Sequence, residues 1–236
     1  LQNPPSWWRW ILSGDWKKGP PIVALLMRAA TLTSDVQGVT LTPDTVTIRN
    51  GLGSALVKIA GGAGGIQSNL INTGEIWNYL DDGSDQGTSW RDQEFNDDSW
   101  RSGPAELGYG DNDEATEVRF GPDEDNDEND EDNKHITTYL RKHFTIADAS
   151  QVIALDYRIK RDDGMALYLN GTVIGRDNLE ADPDYLTEAS NGSSQEDDFL
   201  DPGDLDFAAE DIHTLLVDGT NTIAVEMHQD DGESSD

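Results

Sequence analysis

The chain has 236 residues, with 47 Asp or Glu against 16 Lys or Arg, and a formal net charge of −31. That excess repels nucleic-acid phosphates and anionic membrane surfaces, and it attracts hard, oxygen-seeking cations, Ca²⁺ first among them. There is no cysteine, which removes disulfides, thiolate zinc sites and cysteine nucleophiles, and the longest apolar run, Ile22 to Met27, falls far short of the roughly 20 residues that cross a bilayer.

The length allows one large β-domain or two small ones. Seven Trp, six Tyr and five Phe supply the bulk for a packed core in spite of the charge. The chain opens on Leu1 without a charged-then-apolar leader, so it is expected to be a processed or excised part of a longer polypeptide.

Residues 1–65 hold few acids, only Asp15, Asp35 and Asp44, and read as strands. Trp8, Trp10 and Leu12 alternate with Trp7, Arg9 and Ile11, so Trp7 and Trp8 point to opposite faces and both cannot enter one core. An inter-domain contact is the expected use of this segment and of Trp16. Val46-Thr-Ile-Arg runs into Asn50-Gly51, a hairpin signal, and Ser54 to Ala60 returns. The Gly-rich stretch from Ala60 to Gly65 reads as a linker by composition.

Residues 66–236 read as a second, larger β-unit. Strands are expected at Glu75–Leu80, Thr137–Thr145, Val152–Arg161, Met165–Asn170, Thr172–Gly175 and Thr222–His228. Ile153, Leu155, Tyr157 and Ile159 set a period-two inward face, and Asn170-Gly171 marks a tight hairpin. Asp206–Val217 is the one place for a short helix. Many short strands with Gly- and Asp-rich turns point to an all-β sandwich or jelly roll. Between Asp111 and Asp132 lie twelve acids and one base, Arg119; charge this dense repels itself and extends the loop.

A family resemblance emerges from five spaced motifs. They are Trp77-Asn-Tyr-Leu-Asp-Asp-Gly through Trp90, Phe95-Asn-Asp-Asp-Ser-Trp100 with Gly103 to Gly110, Tyr139-Leu-Arg-Lys-His-Phe144, Arg161-Asp-Asp-Gly-Met-Ala-Leu-Tyr-Leu-Asn-Gly171, and Gly219-Thr-Asn-Thr-Ile-Ala-Val-Glu-Met-His228. In this order, over about residues 75–228, they resemble the galactose-binding-like β-jelly-roll modules of bacterial secreted hydrolases and surface proteins. The resemblance implies a jelly-roll β-sandwich, and it does not fix a ligand. Residues 1–65 resemble, more weakly, part of a bacterial immunoglobulin-like repeat. Modules of this kind carry one more strand after the last motif, whereas here only Asp230 to Asp236 follow. Three outcomes are open for the gap: cover by another chain, cover by the Trp-rich N-terminal segment, or a sheet left open by truncation.

Three features carry candidate chemistry. Asp111, Asp113, Asp123, Asp125 and Asp127 set alternate carboxylates on one loop, the donor type Ca²⁺ takes six to eight at a time. The loop is no EF-hand, since Glu128 and Lys134 stand where Gly and Glu are required; the plain alternative is a solvated acidic loop. Asp162-Asp163-Gly164 resembles the paired-aspartate turn of the flocculin lectin domain, which implies Ca²⁺ at Asp162 and Asp163; the plain alternative is an Asx turn. Trp90 and Trp100 are candidates to stack on sugar rings, against the more ordinary use of such Trp in the core. His135, His143, His213 and His228 fit no catalytic spacing, and no nucleophile elbow or phosphate loop is present.

The sequence thus leads to an all-β, non-catalytic, secreted or cell-surface binding module. It has an immunoglobulin-like region at 1–65 and a jelly roll at 66–236, Ca²⁺ as cofactor, and carbohydrate or neighbouring domains of the same polypeptide as partners. No nucleic acid and no membrane insertion are expected. Two alternatives stand beside it: a self-assembling subunit or spacer of a surface fibre or layer, and the accessory domain of a secreted hydrolase. Limited proteolysis is expected to cut near Gly61–Gly65 or within Asp123–Asp132; a digest that spares both places the boundary elsewhere.

Overall fold

The computed structural model describes residues 24–32, 46–51, 54–59, 65–109, 114–121, 134–192 and 199–231. The expectations for Trp7, Trp8, Trp10 and Trp16, for positions 60–64, and for Asp111, Asp113, Asp123, Asp125 and Asp127 lie outside these residues.

The described chain is all-β, as the sequence led one to expect. Its strands are β1 (Ala24–Leu32), β2 (Val46–Gly51), β3 (Ser54–Ile59), β4 (Gly65–Ile71), β5 (Ile76–Leu80), β6 (Arg101–Pro104) and β7 (Leu107–Gly108). There follow β8 (Thr116–Glu117), β9 (Thr137–Ile146), β10 (Val152–Lys160), β11 (Gly164–Leu169), β12 (Thr172–Asp177), β13 (Phe207–Ala208) and β14 (Gly219–His228). Seven strands form one antiparallel sheet in the order β13-β12-β11-β14-β9-β5-β6, and three form a second in the order β10-β1-β4.

The sheets face one another across one apolar core. The large sheet contributes Trp77, Leu140, Phe144, Met165, Leu167, Leu169, Ile223, Val225 and Met227, and the small one Met27, Ile71, Tyr157 and Ile159. Alternation along β11 and β14 sends every second residue into this layer. The remaining residues of these strands face the opposite way, onto a second cluster.

β1 comes from the segment before position 65, yet it is the middle strand of the small sheet, antiparallel to both β10 and β4. It thereby binds part of the first segment to the second. β2 and β3 form the expected hairpin, but Gly51 pairs with Ser54. Asn50-Gly51 therefore ends a strand. Asn170-Gly171 is the tight turn expected, with φ of 49° and 83° at its two residues.

Two expectations change. The inward face of β10 is not a clean alternation: Val152 and Ala154 are buried and Ile153 is only half-buried. Ala30 pairs with Ala154 and Thr31 with Val152, so Ile153 is the extra residue of a bulge, which resets the face. Asp206–Val217 is not a helix. Phe207–Ala208 pairs with β12, Asp211 takes a left-handed conformation at φ 52°, and only Ile212–Leu215 makes a single 3-10 turn. A non-Gly residue at positive φ interrupts helical propagation.

One contact keys the sheets together. The Tyr157 hydroxyl, from the small sheet, donates to the Ile174 carbonyl of the large one at 3.0 Å. It passes through space left by Gly175, where a Cβ would lie 2.5 Å from that oxygen.

Leu167 lies wholly inside the core, while Leu186 is 59% exposed. Leu167→Ala is expected to lower the unfolding free energy by about 2–5 kcal/mol. Leu186→Ala is expected to change it by less than about 0.5 kcal/mol. Urea titrations compare the two at constant m-value; equal losses would refute the assignment of the core.

Candidate functional site

The outer face of the large sheet holds the densest chemistry. β9, β14 and β11 present side chains in ranks fixed by register. His228 stands beside Thr137, Glu226 between Ala166 and Tyr139, Ala224 between Tyr168 and Arg141, and Thr222 beside His143. Arg141, His143, Glu226 and His228 thus share this face with the apolar and aromatic residues Ala166, Tyr168, Tyr139 and Ala224. They are covered by the segment from Asp81 to Trp100.

Arg141 is fully buried. Its Nε donates to Asp97 at 2.8 Å, and its two terminal nitrogens donate to the carbonyls of Trp90, Asp92 (3.1 Å) and Phe95 (3.3 Å). One guanidinium therefore ties four residues of the covering segment to β9. Asp97 also meets His143 Nε2 at 3.3 Å, while His143 Nδ1 meets the Thr222 hydroxyl at 2.9 Å. Burial pushes the Asp97 carboxyl up, but the hydrogen bonds and charges of Arg141 and His143 outweigh it and hold the group below its ordinary value of 3.8.

A second knot surrounds Glu226. Its Oε1 accepts from the Tyr168 hydroxyl at 2.5 Å and from Arg91 at 3.2 Å. The Arg91 guanidinium lies 4.4 Å from the centre of the Tyr168 ring, a cation–π contact. Burial, with the Glu226 charge beside them, pushes the phenols of Tyr139 and Tyr168 far up, so both stay protonated. His228 is buried beside this knot. Its Nδ1 reaches the Thr187 carbonyl at 2.6 Å and the Thr137 hydroxyl oxygen at 3.1 Å, and that hydroxyl donates onward to the Tyr185 carbonyl. His228 Nε2 lies 3.6 Å from Glu226 Oε2.

Trp90 is 0% exposed. Its ring lies 4.8 Å from Tyr139 and 5.8 Å from Tyr168, the latter edge-on. With no free face it cannot stack on a sugar, so the expectation of Trp90 as a ligand-binding residue is corrected: it is the core of the second cluster. Trp100 is half-buried, 5.7 Å from Phe95 and 6.4 Å from Tyr139 between ring centres, and keeps part of its surface in solvent.

Asp162 and Asp163 sit in the turn between β10 and β11, and both are buried. Asp162 Oδ1 accepts from the Asp163 N–H at 3.0 Å, and Asp163 Oδ2 accepts from the Asp230 N–H at 2.9 Å. Asn178 Nδ2 donates to the Asp163 carbonyl at 2.8 Å and to the Asn191 carbonyl at 2.5 Å. Both carboxylates therefore accept from backbone N–H groups, although neither bond is the i to i+2 contact of an Asx turn. Two buried carboxylates are also the right donor type for Ca²⁺. Among the described residues, however, no group of three or more His, Asp or Glu is placed to hold a metal. The pair fits the ion in chemistry, but described side chains alone do not complete its shell.

Sequence reasoning missed Arg141, Asp97, Arg91 and Glu226. A signal was there for Glu226, a charge flanked by Val225 and Met227 two positions short of His228, and a weaker one for Arg141, which lies within a strand two positions short of His143 but beside Lys142. Asp97 and Arg91 lie in a loop with many similar acids and had no distinguishing pattern.

No protein-family description matches the chain. No curated protein matches it. Among solved structures, a β-glucuronidase of glycoside hydrolase family 2 is similar over 69% of this chain and 14% of its own, at 16% identity and a TM-score of 0.36. The chain thus spans about a seventh of that protein's length, and a likeness at this level fixes neither ligand nor activity.

Arg141→Met is expected to destabilise the fold by about 3–5 kcal/mol, because Asp97 would be left buried without its cation. Asp97→Asn tests the pH linkage. A depressed carboxyl contributes stability that is complete above its unfolded value and fades as pH falls through the folded one. Denaturation between pH 6 and pH 2 should therefore show a shallower acid limb for Asp97→Asn than for the parent; parallel limbs would contradict the assignment.

Proposed function

We propose that the chain is a non-catalytic binding module that takes carbohydrate, is stabilised by Ca²⁺, and works within a larger secreted or cell-surface protein. The observation that carries this reading is the state of the four buried acids outside the Asp162–Asp163 turn. Asp97 is engaged by Arg141, Glu226 by Arg91 and Tyr168, Asp177 by Arg161, and Asp81 by Arg101. A general acid or base must come within hydrogen-bond reach of the proton it moves, and these four are committed to structural partners.

What the fold offers a ligand lies at its rim. Trp100 keeps an exposed portion of an aromatic ring, a surface suited to the apolar face of a sugar, with Asn96 and Asp98 exposed nearby in the chain. The Asp162–Asp163 turn supplies hard oxygen donors for Ca²⁺, and the acidic run holding Asp111, Asp113, Asp123, Asp125 and Asp127 supplies more. Ca²⁺ bound to the folded state alone would stabilise it by mass action.

A glycan array probed with the full chain is expected to show binding, and Trp100→Ala to weaken it about tenfold or more, the scale of an aromatic anchor. An array without hits, together with filaments in electron micrographs, would favour a structural subunit instead. For the ion, the thermal midpoint is expected to rise more in CaCl₂ than in NaCl of equal ionic strength, and Asp162→Asn with Asp163→Asn to shrink the difference. Equal shifts in both salts would mean screening of the −31 charge and no specific site.

A further inference from the structure

The chain contains three Asn-Gly pairs, at 50–51, 170–171 and 191–192. In such a pair the glycine nitrogen can approach the asparagine Cγ, because no Cβ crowds the path. Whether it does so depends on how firmly the fold holds the amide, and the structure treats two of these pairs in opposite ways.

We propose that Asn191 is a self-modification site, at which the side-chain amide becomes a carboxylate with water as the only co-reactant. Asn191 is exposed. Among the described residues its Nδ2 makes one hydrogen bond, to Asn178 Oδ1 at 3.5 Å, the outer limit of such a bond. The Gly192 N–H donates to no group among the described residues. The Asn191 carbonyl, by contrast, is held by Asn178 Nδ2, so the backbone is anchored while the amide is free to turn.

Asn170 is the internal control. Its Nδ2 donates to the Leu215 carbonyl at 3.0 Å and to Asn221 Oδ1 at 2.8 Å, and its Oδ1 accepts from the Thr222 N–H at 2.8 Å. All three bonds must break before its Cγ can meet the Gly171 nitrogen.

The chemistry balances without oxidant or reductant. The Gly192 nitrogen gives its proton to solvent base and bonds to Asn191 Cγ. The Cγ–Nδ2 bond breaks and the amide nitrogen leaves as ammonia, closing a five-membered imide. Water then opens the ring at either carbonyl, giving aspartate or isoaspartate. The modified residue lies where Asn178 clasps the Asn191 and Asp163 carbonyls together. The isoaspartyl product lengthens the main chain by one atom at that clasp, and both products add a negative charge to it. This inference stands whether or not the nearby turn binds Ca²⁺.

The test incubates the full folded chain at mildly alkaline pH in ¹⁸O-water, then digests it and reads label at each Asn-Gly pair by mass spectrometry. Asn191 should acquire label at least about tenfold faster than Asn170, the penalty of breaking the Asn170 hydrogen bonds first. In urea the two rates should converge, since only the fold separates them. Asn191→Gln, at an exposed position, should abolish label there and leave the thermal midpoint unchanged. Label at Asn170 as fast as at Asn191 in the folded chain would overturn the proposal, and so would an Asn191 that reacts only in urea.

Discussion

A guanidinium without exposed surface must be neutralised and hydrogen-bonded on every side, because an unmet charge in that setting costs several kcal/mol. Arg141 meets this condition only when Asp97 and the carbonyls of Trp90, Asp92 and Phe95 converge on it. The segment from Asp81 to Trp100 is largely irregular and cannot order itself by a backbone ladder. Arg141 gives it a template. Once the segment is seated, Trp90 drops between Tyr139 and Tyr168, and Arg91 reaches Glu226. The outer cluster is thus a consequence of one buried cation on β9.

That dependence gives the composition a different meaning. With 47 acids and 16 bases, cations are the scarce species. The structure spends several of them on acids that are out of solvent: Arg141 on Asp97, Arg91 on Glu226, Arg161 on Asp177, Arg101 on Asp81. Guanidinium suits the task, since its planar fork satisfies several acceptors at once and is weakly hydrated. At these four pairs the acid is balanced locally by a guanidinium, despite the net charge of the whole chain.

Much of the sandwich was legible in the sequence because period-two burial is a local signal. β5, β9, β11, β12 and β14 fall within a few residues of their expected positions. Where the reading failed, a non-local term decided. The bulge at Ile153 is set by pairing with β1, which no pattern within β10 reveals. The stretch after Asp206 gives way to a short strand because β12 offers it an edge. Trp90 and Trp100 look alike as motif residues, and only the folded aromatic cluster separates the buried ring from the half-buried one. The paired aspartates at 162–163 were visible; the Asp230 N–H that meets Asp163 comes from just past the end of β14, more than sixty positions away.

The Tyr157 bond to the Ile174 carbonyl, threaded past Gly175, has a mechanical consequence. Apolar layers resist separation but slide past one another with little directional preference, since dispersion contacts can be exchanged for equivalent ones. A hydroxyl lodged in a glycine gap cannot be exchanged in this way. It acts as a dowel between the plates, fixing their relative offset. Shear along the strands must break that bond and lift the phenol out of its slot before the core yields. A load drawn through β10 is then transmitted to β12 and, through β11 and β14, across the large sheet, rather than dissipated in slip between the two layers.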